Sequence, residues 1–286
     1  MYFPRYWAKA SVDGRGRGGI TVNAQAWGWS DVSDADALAR ATARAQALLS
    51  HLPPEPGELK RAHYYEARPF REPVLQDLSQ GPVKAIITRN SFGCEVLNTD
   101  TVAFADIDYD PPRVGIFSAL FGGGKKKAAE AQAAWETQTL EKLQQWQQAH
   151  SSWSFRVYRT AGGLRLLVIS GLQPASDPAS MKWLEAVGSD PLYLRLCRDQ
   201  KSFRARLTPK PWRCGLKQLT VRFPWAKESE QEAFEKWLGN YQPKCDSYAV
   251  CAYLQTLGID TPAPEIRPIL ALHDERTSVG KGLPLA

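Results

Sequence analysis

The stretch Phe104-Ala105-Asp106-Ile107-Asp108-Tyr109-Asp110 constrains this chain more than any other part of it. It reads as an apolar strand that ends on two carboxylates two residues apart. Successive side chains of a strand point to opposite faces, so Asp106 and Asp108 project side by side while Phe104 and Ile107 hold the strand in its sheet. A pair of that kind does not serve packing. Two ionised carboxylates on one face repel unless a cation lies between them, and hard divalent cations take oxygen ligands from carboxylates and phosphates alike. The pattern therefore points to a metal-dependent phosphate site. The plainer alternative is a strand running out into a polar turn, Asp108-Tyr109-Asp110-Pro111-Pro112, with both acids solvated.

A chain of 286 residues with 43% apolar side chains and ten tryptophans has ample material for a packed core. The longest apolar runs, such as Val114 to Phe121, fall far short of the ~20 residues that span a bilayer. The start, Met1-Tyr2-Phe3-Pro4-Arg5, lacks the build of a secretion signal. These features lead to the expectation of a soluble cytoplasmic protein with no membrane partner. Five cysteines without a closely spaced pair suit a reducing compartment. A zinc site from Cys214, Cys245, Cys251 and His273 is conceivable, although the spacings match no usual template.

The order of elements follows from periodicity and breakers. Tyr2 to Ala8 and Ile20 to Trp29 read as a hairpin around Gly14 to Gly19, a turn whose Arg15 and Arg17 could touch phosphates. Ser33 with Asp36 signals a helix start, and Leu38, Ala41, Ala45, Leu48, Leu49 and Leu52 supply its apolar stripe up to Pro53-Pro54. Strand patterns recur at Val83 to Thr88, Cys94 to Leu97 and Val102 to Asp108. A long helix opens near Gly122 to Lys127, with Trp135, Thr139, Leu143 and Trp146 on one face. Ser154 to Ser170 reads as strand, glycine turn, strand. Asp177-Pro178 and Asp190-Pro191 each start a helix. Gln218 to Phe223 reads as a last strand, Lys227 to Leu238 and Ser247 to Leu257 as helices, and Thr261 to Ala286 as extended. The fold class is α+β, a mixed or mainly antiparallel sheet with helices on its outer face.

The net charge of +6 has meaning only if it is concentrated, and it is. Between Arg195 and Arg222 stand Arg195, Arg198, Lys201, Arg204, Arg206, Lys210, Arg213, Lys217 and Arg222, with Asp199 as the single acid. Phe203 and Trp212 interleave with them. Cations for phosphates beside flat rings for bases are what a nucleic-acid strand requires. A solvated basic face with two core aromatics is the alternative.

Taken in order, these motifs resemble the archaeo-eukaryotic primase superfamily, the primases and primase-polymerases that build nucleic acid from nucleoside triphosphates. Phe104 to Asp108 is similar to its acidic strand. Thr160-Ala161-Gly162-Gly163-Leu164-Arg165 is similar to its glycine turn, with arginine where the family has histidine. Asp190, with Asp199 as a competitor, stands for the third acid. The resemblance spans residues 80 to 225, and it implies an RNA-recognition-motif-like core over 81–225, an N-terminal α/β unit over 1–80 and a helical C-terminal appendage over 226–286. It also implies that Asp106, Asp108 and Asp190 hold Mg²⁺ or Mn²⁺ and catalyse transfer. Thr160, Gly162, Gly163 and Arg165 would then bind the triphosphate, and Lys201, Arg204, Arg206, Lys210, Trp212 and Arg213 the DNA or RNA strand. The implied function is nucleotidyl transfer in the replication of a plasmid, phage or other mobile element. Two other classes compete. One is a non-catalytic nucleic-acid-binding replication accessory protein, and the other a nucleotide-sugar glycosyltransferase, which also sets an Asp-x-Asp pair at a strand end.

Overall fold

The computed structural model describes residues 1–15, 21–50, 69–109 and 124–286, which contain ten strands, paired antiparallel throughout, and six α-helices. They divide into two units. One comprises Tyr2–Pro73 with Leu219–Trp237, the other Val74–Gln218 with Leu238–Ala286 and Met1. None of the described helices is long and apolar enough to cross a membrane.

The unit with the N-terminal segment is built on a hairpin, β1 (Tyr6–Arg15) and β2 (Thr21–Ser30), with helix α1 (Asp34–Ser50). The Ser33 hydroxyl accepts the Asp36 amide at 3.1 Å, the cap that the sequence signals. Its packing stripe is smaller than expected. Ala37, Ala41 and Ala45 are fully buried and Leu38 is exposed. Residues 16–20, the Arg15 side chain and Pro53-Pro54 lie outside the described residues, and with them the suggested phosphate contacts of Arg15 and Arg17. Gln218 to Phe223, expected as a strand, is irregular.

The other unit carries two four-stranded sheets. The first has the order β3 (Val74–Asp77), β4 (Ala85–Arg89), β5 (Glu95–Thr99), with β9 (Phe203–Arg206) at its far edge. The second contains β6 (Phe104–Asp108), β7 (Phe155–Thr160), β8 (Gly163–Val168) and β10 (Cys251–Leu257), in the order β10-β7-β8-β6. Every residue of β4 and of β8 is buried, because both faces of these strands are covered. One core joins the two sheets, with Ile87, Leu97, Phe203 and Ala205 from the first and Phe104, Val157, Leu164 and Leu166 from the second.

Helix α2 (Gly124–Ala149) buries Leu143 and packs Trp135 and Trp146 against this core. Lys125 and Lys126, at its start, have side chains outside the described set. Asp177 and Asp190 cap α3 (Pro178–Ala186) and α4 (Pro191–Gln200), their carboxylates accepting the amides of Ala179 and Tyr193. A short 3₁₀ turn, Pro211–Cys214, precedes α5 (Glu228–Cys245), and α6 (Arg267–Arg276) closes the chain's helices.

The expected helix over Ser247 to Leu257 and the expected extended run over Thr261 to Ala286, which contains the helix Arg267–Arg276, are corrected here. Residues 251–257 form β10, paired with β7 from Cys251↔Thr160 to Leu257↔Phe155, and Val250, Cys251, Leu257, Ile266 and Ile269 enter the main core. The pairing strand supplies hydrogen bonds and burial that local periodicity does not reveal.

Candidate functional site

The register of β6 on β8 decides the site. Asp106 lies directly opposite Arg165 and Asp108 opposite Gly163, and facing side chains of an antiparallel pair stand close enough to interact. Arg165 takes full advantage of this. Its Nε donates to Asp106 Oδ1 at 2.8 Å and its Nη2 to Oδ2 at 3.2 Å, a forked pair, while Nη1 donates to the Arg206 carbonyl at 2.9 Å. Only 1% of Arg165 is exposed. Burial opposes its charge, and the Asp106 carboxylate more than offsets that, so the guanidinium stays protonated.

Behind Arg165 the chain places neutral groups. Cys251 Sγ lies 3.7 Å from Nη1, with its thiol pushed up by burial to about 11. His273 sits 4.0 Å from that sulfur, is fully buried, and is kept neutral by the same cause despite the neighbouring Asp274. The carboxylate next to His273, that of Asp274, is paired with Arg156 at 3.2 Å.

Asp190 reaches the same place from α4. Its backbone amide donates to the Asp106 carbonyl at 2.9 Å and the Ser189 hydroxyl donates to that same oxygen at 3.0 Å, so the start of the helix is tied to the acidic strand. Asp106, Asp108 and Asp190 thus line one cleft of about 220 Å³. Thr160 and Gly162 from the β7–β8 turn, Arg165 in its floor, and Arg206, Lys210 and Arg213 complete its polar lining. Sequence reasoning missed the apolar side, Leu164, Leu192, Tyr193 and Leu196. Leu192 and Leu196 are spaced one turn apart and are exposed, which is the signal that could have marked them.

Several expected residues have other surroundings. Phe203 is wholly buried in the core and cannot stack on a base. The strand alternation that buries Phe203 and Ala205 leaves Arg204 and Arg206 on the other face. Arg206 reaches the cleft, whereas Arg204 lies toward Gln200 at 3.4 Å and Lys201 ends α4 in the left-handed region, both outside the cleft lining. Asp199 pairs loosely with Arg195 on the exposed side of α4, so Asp190 is the acid that joins the pair. The Gly162 amide donates to the Thr160 hydroxyl at 3.2 Å and is not left for a phosphate. Gly163 is required by packing, since a Cβ there would fall 2.0 Å from the Ile107 carbonyl oxygen. Trp212 is 46% exposed and stands beside the cleft.

Electrostatically the cleft has two unsatisfied sides. Asp108 is exposed at the end of its strand, yet partial desolvation by the cleft walls, with Asp106 and Asp190 close by, raises its pKa. Burial and the neighbouring Arg206 and Arg213 lower that of Lys210, and burial with Arg165 lowers that of Arg206. Arg206 Nε is shielded from solvent and has no hydrogen-bond partner among the described residues. An anion placed against Arg206, Lys210 and Arg213 would relieve the basic side.

The implied metal fares less well. Both oxygens of Asp106 accept from Arg165, and among the described residues no group of three or more His, Cys, Asp and Glu side chains is arranged to hold a metal ion. The acids as built, and equally the cysteines with His273, do not fit a resident ion. Comparison with protein-family models, curated proteins and solved structures finds no match to this chain.

Asp108 supplies a prediction about pH. Its folded pKa lies above the ordinary 3.8, so the folded state binds its proton more readily than the unfolded chain. Ionised Asp108 therefore opposes folding once pH exceeds the raised value, and the penalty vanishes as pH falls below the ordinary one. Asp108→Asn is expected to raise the melting temperature slightly at pH 7, an advantage that disappears near the ordinary value. Thermal scans of both proteins across that range check this, and an unchanged difference at all pH values would exclude Asp108 as its source.

Proposed function

We propose that the cleft binds the phosphates of a nucleic-acid strand, and that the protein is a non-catalytic nucleic-acid-binding protein of primase-polymerase type, an accessory in the replication of a plasmid, phage or other mobile element. One observation carries this reading. Arg206, Lys210 and Arg213 crowd one wall, the first with an Nε that is shielded and without a partner among the described residues, while Asp106 already has its counter-ion in Arg165. Such a wall recruits an anion without help from a metal. An RNA-recognition-motif-like core remains part of the proposal, supported at the coarse level by the antiparallel sheet β10-β7-β8-β6 and its helices.

Salt dependence tests the reading. Binding to single strands should weaken with a log–log slope of about −0.7 per neutralised phosphate, about −2 for three such cations, and should persist in a chelator without any need for Mg²⁺ or Mn²⁺. Lys210→Ala should make the slope about 0.7 less negative. A strict requirement for a divalent ion, or an unaltered slope in the variant, would reject it.

The second reading is nucleotidyl transfer, and the convergence of Asp106, Asp108 and Asp190 with the raised Asp108 favours it. Asp108→Asn separates the two. In a binding protein it removes a negative charge from a phosphate site and tightens the strand, whereas in a transferase it abolishes primer extension or primer synthesis.

A further inference from the structure

Lys210 and Arg213, which line the cleft, flank Trp212 in sequence, and their short 3₁₀ turn is rigidly set. Pro211 and Cys214 are buried, the Arg213 amide donates to the Lys210 carbonyl at 2.9 Å, and that of Leu216 to the Pro211 carbonyl at 3.0 Å. Two buried anchors thus hold up an indole that is 46% exposed.

Beside it stands Phe92, 36% exposed, with ring centres 5.4 Å apart and planes at 84°. Phe92 is also fixed, since the Asn90 side chain accepts the amides of Phe92 and Cys94, and buried Arg89 donates to the Gly93 carbonyl at 2.8 Å. The two rings thus form one partly exposed aromatic pair, packed edge to face and held on restrained turns.

The charge beside them identifies what covers them. Lys210 Nζ lies 5.6 Å from the centre of the Trp212 ring while the same residue lines the phosphate cleft. A phosphate held by Lys210 leaves the base attached to it next to the indole. In a duplex that face is covered by neighbouring bases, so only an unpaired base can use it.

We infer that Phe92 and Trp212 form a base-stacking platform, contiguous with the cleft, for single-stranded nucleic acid. This rests on the proposed phosphate-binding role of the cleft and assigns its partner as an unpaired strand. Phe92 is the edge support that sets the indole's orientation, and Trp212 is the stacking surface.

The test compares a short oligothymidylate with an abasic phosphodiester strand of equal length, both against the full chain and its variants. The intact protein is expected to prefer the strand with bases, and Trp212→Ala to lose at least about fivefold on it while binding the abasic strand unchanged. Trp212→Phe should restore most of the preference, and Phe92→Ala should reduce it in part. Equal affinity of the intact protein for the two strands, or an equal loss on both in Trp212→Ala, would overturn the platform. Failure of the phosphate-binding reading looks different. In that case the abasic strand does not bind in a Lys210-dependent way at all, and a preference for bases that Trp212→Ala removes would still uphold the stacking surface.

Discussion

Arg165→Met is expected to destabilise the unit by about 3 kcal/mol, the lower end of what breaking a buried ion pair costs. The lower end applies because the Asp106 side chain keeps 31% of its exposure and water can partly solvate the stranded carboxylate, whereas that of Arg165 keeps 2%. The loss has two sources. Asp106 is left facing Asp108 and Asp190 without its forked partner, and the Arg206 carbonyl loses its donor. Asp106→Asn in the same chain should recover a substantial part, since the charge that Arg165 offsets is then gone. Urea unfolding of the two single variants and the double variant gives the coupling directly. A coupling near zero would mean that the forked contact contributes nothing to the fold. The substitution also exposes three carboxylates to one another, so Arg165→Met should bind Mn²⁺ in the cleft more tightly than the intact protein, measurable by calorimetry without reference to any activity. Unaltered ion affinity would show that Arg165 is not what keeps a cation out.

The arginine also marks where sequence reading stopped. Its position two residues beyond the glycine turn, and its pairing in a sheet with the acidic strand, follow from strand periodicity and a two-glycine reversal. Whether it points outward to a ligand or inward to Asp106 depends on register, which is set by the chain pairing across the whole sheet. The same limit accounts for Cys251–Leu257. Ala252, Leu254 and Gln255 are compatible with a helix, and only the edge of β7, nearly a hundred residues earlier in the chain, selects the strand and its irregular step between Tyr253 and Gln255. Asp190 was legible as a helix cap, and its place beside Asp106 is compatible with that role because capping uses Oδ1 toward the Tyr193 amide while the helix start is tied to Asp106. Phe203 misled for the opposite reason. A run of basic residues looks like a solvated stripe, yet alternation in β9 buries every second residue of it.

Gly163→Ala is expected to be severely destabilising, costing more than about 3 kcal/mol. An added Cβ would lie 2.0 Å from the Ile107 carbonyl oxygen and 2.9 Å from the Tyr109 amide nitrogen, at a backbone angle φ of +154° that side chains rarely adopt. Both obstacles are backbone, and they belong to β6 at the point where Asp108 faces this glycine. Relief requires β8 to separate from β6 at that end, which moves Asp108 away from Asp106 and Asp190 as well as weakening the sheet. The neighbouring glycine gives the control. A Cβ at Gly162 would come within 3.1 Å only of an Arg213 guanidinium nitrogen, the free end of a flexible side chain, so Gly162→Ala should fold almost normally and instead displace one cation of the phosphate wall. Chemical denaturation should therefore separate the two variants by more than about 2 kcal/mol, while strand binding is reduced in both. Equal stability of the two would mean that the β6–β8 contact yields to a methyl group, and that the acids are held in place by α4 alone.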